Sequence, residues 1–182
     1  MKRIAHFGLV SYEQFQKGCK TAAALSEEQI QTYYQQLKKP KRATAGSAGY
    51  DFYLPYDITL KPQDTLLIPT GIRAYMENGW VLQLYPRSSL GFRYRMQLNN
   101  TVGVIDADYF FADNEGHIFA KITNASLDGK TLYLKQGDAF MQGVFLPFGI
   151  CDDDDASAVR TGGFGTDRIS LLSACADQGS GR

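Results

Sequence analysis

Two carboxylates and a tyrosine follow an apolar run in Asn99 to Phe110, "NNTVGVIDADYF". Charges delivered at the end of a strand must meet water, meet a cation or take part in proton transfer. Asp106 and Asp108 stand two apart, so on an extended backbone they share a face. The pair fits three roles: capping a turn, binding a divalent metal directly, or dividing general-base work from loop ordering. A second set of groups lies upstream in "YPRSSLGFRYR". Arg87, Ser88, Ser89 and Gly91 supply a guanidinium fork, two hydroxyls and room for close backbone approach, the donors a polyphosphate needs. Arg93 and Arg95 add local positive charge, although a plain basic surface loop has the same composition. A third set, "RTGGFGT", joins Arg160, glycine amides and Thr166 around Phe164. It lacks the spacing of a P-loop, but a basic anchor on a glycine segment can fold over phosphates and bring a ring onto a base. Together the three sets point to a nucleoside polyphosphate site.

These groups need a scaffold, and the chain has the length for one domain with a sizeable core, at 182 residues. Hydrophobic residues make up 44% and charged residues 21%, an ordinary globular composition. Lysine plus arginine equals aspartate plus glutamate at 19 each, so no global basic field exists and duplex binding without sequence preference is not expected. Three cysteines without a C-x-x-C pair and only two histidines argue against a disulfide framework or a structural zinc site, and suit a reducing cytoplasm. The opening "MKRIAHFGLVSYEQF" is a poor signal peptide, and no stretch is long and apolar enough to span a membrane.

The first forty residues read as helical. Ser26 and Gln29 form a capping box, Ile30, Tyr33, Tyr34 and Leu37 share a face, and Pro40 ends the run. A shorter helix starts at Ser11, with Gln14 completing a similar box. From Ala48 the pattern changes to short strands punctuated by Asn78-Gly79, Asp128-Gly129 and Gly137-Asp138, as in an all-β sandwich or barrel. Asn78-Gly79 predicts a hairpin between "IRAYM" and "WVLQLY". The acidic run Asp152 to Asp155 reads as a solvated loop. The expected division is a helical extension over 1–40, a β domain over 41–150 and a glycine-rich arm over 151–182.

Five motifs in order resemble the homotrimeric dUTP pyrophosphatases (dUTPases): "AGYDF" at Ala48 to Phe52, "PRSSLG" at Pro86 to Gly91, "NNTVGVIDADY" at Asn99 to Tyr109, "GDAFMQGVF" at Gly137 to Phe145 and "RTGGFGT" at Arg160 to Thr166. The likeness covers roughly Lys41 to Arg168, and the helical opening is similar to a variant in bacterial and phage members. The resemblance implies a jelly-roll or β-barrel fold with short N-terminal helices, assembled as a homotrimer with active sites shared between subunits. Its implied reaction is hydrolysis of dUTP to dUMP and pyrophosphate, which limits uracil in DNA and supplies dUMP. Asp106 would activate the water that attacks the α-phosphate, and Tyr109 would pack on the deoxyribose and exclude a 2′-hydroxyl. Asn100 with the backbone at Gly103 and Ile105 would read uracil, from a hairpin. Arg87, Ser88, Ser89 and Gln142 would neutralise the phosphates. Arg160, Gly165 and Thr166 would grip the γ-phosphate while Phe164 covers the base. Mg²⁺ would ride on the triphosphate, touched by Asp51 through water only.

This chain departs from the family pattern in four places. Ser88-Ser89 replaces a usual Ser-Gly, "FFADNEG" after Tyr109 is a longer link, Arg160 stands one residue nearer the glycines, and Thr166-Asp167-Arg168 replaces a Ser-Thr-Gly. The rival enzyme reading is a dCTP deaminase, which needs a glutamate in a strand resembling "IFAKITN", where this chain has Lys121. A regulatory protein that uses the nucleotide site as a switch towards a protein partner, and a catalytically dead trimer, are the other two readings.

Overall fold

The computed structural model describes residues 2–158 and 162–163. Its first element is a strand, β1 (Ala5–Leu9), which corrects the helical reading of the whole opening. Phe7 points inward, and its ring meets Phe52 edge-on at 5.5 Å. Helices α1 (Tyr12–Ala22) and α2 (Glu27–Gln35) follow. The Ser26–Gln29 box closes in both directions, at 2.9 and 3.2 Å, a cap contributing about 1 kcal/mol. At Ser11 only half of the expected box forms. The Gln14 amide donates to the Ser11 hydroxyl at 3.2 Å, but the Ser11 N–H donates to Glu115, not Gln14, at 2.8 Å. Val10, Phe15, Cys19 and Ile30 form a small core between the two helices, joined by Tyr12, Tyr34 and Leu37.

The rest is mainly β. Strands β2 (Lys41–Arg42), β3 (Tyr50–Tyr53), β4 (Ile58–Leu60), β5 (Thr65–Pro69), β6 (Ile72–Met76) and β7 (Trp80–Pro86) lead to a short helix, α3 (Ser88–Tyr94). Strands β8 (Met96–Leu98), β9 (Gly103–Ile105), β10 (Phe119–Asn124), β11 (Leu132–Leu134) and β12 (Ala139–Pro147) complete the chain. The largest sheet has the order β2-β3-β12-β7-β9; the others are β5-β10-β8, β1-β6 and β11-β4. Alternate residues enter the core, as Ala120, Ile122 and Asn124 do from β10 while Lys121 points out. Buried Asn124 is satisfied, its amide donating to the carbonyls of Leu60 and Lys130 at 2.9 Å each.

The turn signals are real, but two pairings differ from expectation. Gly79 takes φ +83 at the predicted turn, yet β6 pairs with β1 and β7 pairs with β12 and β9. Asn78-Gly79 therefore joins two sheets and does not close a hairpin. The same holds for β8 and β9, which are linked by a turn at Thr101 (φ +61) but pair with β10 and β7 respectively. A turn reverses the chain; the partner of each strand is decided by which face must be buried.

Candidate active site

Strand β9 lies on β7, with Gly103 opposite Leu84 and Ile105 opposite Leu82. A Cβ on Gly103 would stand 3.1 Å from that of Leu84. Packing within the sheet thus accounts for this glycine, where the sequence suggested backbone approach to a base. Ile105 faces the core while Val104 is exposed. Asp106 ends the strand in extended conformation (φ −79, ψ 157), and a 3₁₀ turn spans Ala107–Phe111. Asp108 therefore leaves the extended path and does not share a strand face with Asp106. The turn instead drives Tyr109 inward, to 3% exposure.

Tyr109 is held at both ends of its hydroxyl. It donates to the His117 carbonyl at 2.7 Å and accepts from the Asn114 amide at 2.6 Å. A cavity of about 290 Å³ opens beside the ring, lined by Asn100, Val102, Val104, Ile105, Asp106, Tyr109 and Gly163. Gly163 lies so close that a Cβ there would be 2.5 Å from the Tyr109 ring. The apolar walls Val102 and Val104 were not anticipated, though alternation about Gly103 and Ile105 places them on the opposite face. Arg160, Phe164, Gly165 and Thr166, together with Asp167 and Arg168, lie outside the described residues.

A second cluster sits on the same sheet. Gln142 on β12 is opposite Asp51 on β3 and Tyr85 on β7. The Arg87 guanidinium approaches the Asp51 carboxylate at 3.9 Å, and the Arg87 N–H is fixed by the Phe140 carbonyl at 3.1 Å. Gln142 lies over Gly49, where a Cβ would meet its side-chain oxygen at 2.4 Å. Ser88 and Ser89 are exposed at the start of α3. This is a polar, cationic surface suited to phosphate oxygens.

The two clusters do not meet within one chain. Asp51 and Asp106 are separated by three strand spacings, about 14 Å, and by about four residues along the strands, about 13 Å. Combined, the two residues' backbones stand about 19 Å apart, too far for their side chains to serve one reacting phosphate. Among the described residues no group of three or more His, Cys, Asp or Glu side chains can hold a metal ion. The donor chemistry of a carboxylate, Asp51, beside the Arg87 guanidinium fits a hydrated cation arriving with a polyphosphate. No helix among the described residues is long and apolar enough to cross a membrane.

Comparison with known proteins covers this same region. The dUTPase family model matches residues 35–166. A deoxyuridine 5'-triphosphate nucleotidohydrolase of Lactococcus lactis is 43% identical over 130 residues, covering 70% of this chain and 85% of the relative. One from Psychromonas ingrahamii is 38% identical over 134 residues, covering 69% and 84%. The crystal structure of dUTPase from Streptococcus mutans superposes with a TM-score of 0.60 at 37% identity, covering 80% of this chain and 98% of that one. A dUTPase from phage phi11 of S. aureus shares the fold at 19% identity, with a TM-score of 0.59 and coverage of 86% and 97%. With its motifs, its mainly β fold and these relatives in agreement, the chain belongs to the dUTPase family.

Proposed function

We propose that this dUTPase hydrolyses dUTP to dUMP and pyrophosphate at sites shared between chains of a homotrimer. Asp106, Tyr109 and Asn100 come from one chain, and Asp51, Arg87, Ser88, Ser89 and Gln142 from its neighbour. The separation of the two clusters within a single chain is the observation that carries this reading. Exposed Phe92 on α3, next to Arg87, supports it as apolar surface for a neighbouring chain to cover. The family is typically trimeric and generally Mg²⁺-dependent.

In this mechanism Asp106 takes a proton from water, and the water oxygen bonds to the α-phosphorus as the bond to the bridging oxygen of pyrophosphate breaks. General-base action of this kind contributes about 10²–10⁴ in rate, so positioning and charge neutralisation supply the larger share. Arg87, Ser88, Ser89 and Gln142 hold the phosphate oxygens. Mg²⁺ carried by the triphosphate would supply further charge neutralisation, and Asp51 would hold it through its waters. Tyr109 closes the space a 2′-hydroxyl would need. Asn100 and the strand backbone at Gly103 and Ile105 present donors and acceptors to uracil, a readout worth roughly 10⁴–10⁵ against mismatched groups. Val102 and Val104 give the cavity an apolar wall. Arg160, Gly165 and Thr166 would then engage the γ-phosphate and Phe164 the base.

Deamination is disfavoured by Lys121, which points outward from β10 where the rival reaction needs a glutamate. The test is pyrophosphate release from dUTP, dCTP, dTTP and UTP, each with Mg²⁺ and with chelator. Release from dUTP alone, weakened by chelation, is the expected result. Ammonia from dCTP, or no pyrophosphate from any of them, would overturn the reading.

A further inference from the structure

The loop between Tyr109 and β10 is longer than the family pattern, and its side chains are joined to one another in sequence. Asn114 donates from its amide nitrogen to the Tyr109 hydroxyl at 2.6 Å. Its amide oxygen accepts from the Gly116 N–H at 3.1 Å. These two bonds fix which way the amide points, because the backbone N–H can only donate. The Tyr109 hydroxyl spends its own proton on the His117 carbonyl, so it can receive Asn114 only as an acceptor.

The loop is held in an unusual backbone shape. Glu115 takes φ +59 and Gly116 φ +69. A Cβ on Gly116 would fall 2.7 Å from the Tyr109 carbonyl oxygen, so only glycine allows the chain to double back against its own 3₁₀ turn. Glu115 is kept in this conformation by α1. Its carboxylate accepts from the Ser11 N–H at 2.8 Å and the Ser11 hydroxyl at 2.6 Å. Arg73 approaches the same carboxylate at 3.9 Å and donates to the Phe110 carbonyl at 2.7 Å.

We infer that Asn114 is a positioning residue for substrate selection: it pins the Tyr109 ring against the sugar, and Glu115 anchors that pin to helix α1. The inference rests on Tyr109 being the sugar gate. A ring pinned through both sides of its hydroxyl cannot retreat to admit a 2′-hydroxyl. With the pin removed the ring gains that freedom, so discrimination weakens while the chemistry at Asp106 continues.

The experiment measures kcat/KM for dUTP and UTP in the full-length enzyme and in four variants. Asn114→Ala should lower the dUTP-over-UTP ratio by roughly threefold to tenfold, the range of one lost hydrogen bond. Asn114→Asp keeps an acceptor for the Gly116 N–H but has no proton to give Tyr109. Its carboxylate can take the Tyr109 proton only if the His117 carbonyl gives it up, so one of the two bonds is still lost and the ratio should fall, whereas a role confined to loop shape would leave its ratio at the wild-type value. Tyr109→Phe removes the hydroxyl and with it both bonds, to the His117 carbonyl and from Asn114, and should give a fall at least as large. Adding Asn114→Ala to Tyr109→Phe should change the ratio no further. Asn114 variants with a wild-type ratio, or additive effects in the double variant, would overturn the role of Asn114. Tyr109→Leu separates this from the gate reading: an unchanged ratio there refutes the gate. A lowered ratio there with unchanged Asn114 variants refutes the pin alone. If Tyr109→Leu does not fold, Tyr109→Phe still decides, since its ratio must fall at least as far as that of Asn114→Ala; a wild-type ratio there refutes the pin.

Discussion

Two inactive chains should restore each other's activity. Arg87→Ala removes the guanidinium from the proposed phosphate cluster, and Asp106→Asn removes the proposed general base. Losing one charge-assisted contact lowers turnover by about tenfold to a hundredfold, and losing the base by about 10²–10⁴. Within one chain the strand order β3-β12-β7-β9 keeps Asp51, and the Arg87 beside it, about 19 Å from Asp106. On the proposed reading a working site takes Arg87 from one chain and Asp106 from another. In a cyclic trimer assembled from equal amounts of both variants, about one interface in four joins an intact Asp106 wall to an intact Arg87 wall. Pyrophosphate release from co-refolded protein should recover to about a quarter of wild type. Each variant refolded alone should stay at its own low value. If the site lies within a single chain, every site in the mixture carries one lesion and the rate is only the mean of the parents. That result, from mixtures shown by tagged pull-down to contain mixed trimers, would refute the shared site.

Other perturbations test the supports. Glu115→Ala removes both bonds to Ser11 and should destabilise the protein by about 1–3 kcal/mol, read as a lowered urea midpoint; an unchanged midpoint would show that α1 needs no cap from the loop. His117 is fully buried, its Nε2 accepting from the Gly71 N–H at 2.9 Å, and burial pushes its pKa down to about 3. Because the folded value lies below the unfolded one, the unfolded chain takes the proton first. Stability is therefore full above about pH 6.5 and falls towards pH 3, by about 2 kcal/mol at pH 5. Urea titrations should show this slope, and His117→Gln, which keeps an acceptor for Gly71, should flatten it; an unchanged slope assigns the effect elsewhere. Gly49→Ala places a methyl 2.4 Å from the Gln142 oxygen and should lower kcat/KM for dUTP by displacing Gln142, with the melting temperature barely changed; unaltered kinetics would remove Gln142 from the phosphate site.

The parts of the fold that were legible in the sequence are those fixed by near neighbours. Ser26 and Gln29 cap α2 because both partners of the box lie within one turn. Ser11 looked the same, yet its N–H is answered by Glu115, 104 residues on, and no local spacing contains that information. Strand β1 was missed although Ala5, Phe7 and Leu9 alternate with His6 and Gly8, because so short an alternation counts only once it pairs with β6. Asn78-Gly79 was legible as a turn because glycine permits φ +83 there, but its flanking strands join different sheets.

The candidate site divides in the same way. Side-chain chemistry singled out Asp106 and Arg87, since the residue types suited to proton transfer and phosphate are few, while Gln142 and the sugar-facing role of Tyr109 came from the resemblance to the family. Their distribution into two distant clusters follows from three long-range strand pairings, β3 with β12, β12 with β7 and β7 with β9, which no motif encodes. The alternation rule failed at Asp108 because a 3₁₀ turn begins one residue after Asp106. The turn that took Asp108 off the strand face is also what swings Tyr109 inward to meet Asn114. The break in strand periodicity is thus what builds the Tyr109 wall of the cavity. A straight strand through Asp108 would have put Asp106 and Asp108 on one face and Tyr109 on the opposite one. Asp106 and the Tyr109 ring line one cavity because the chain turns between them.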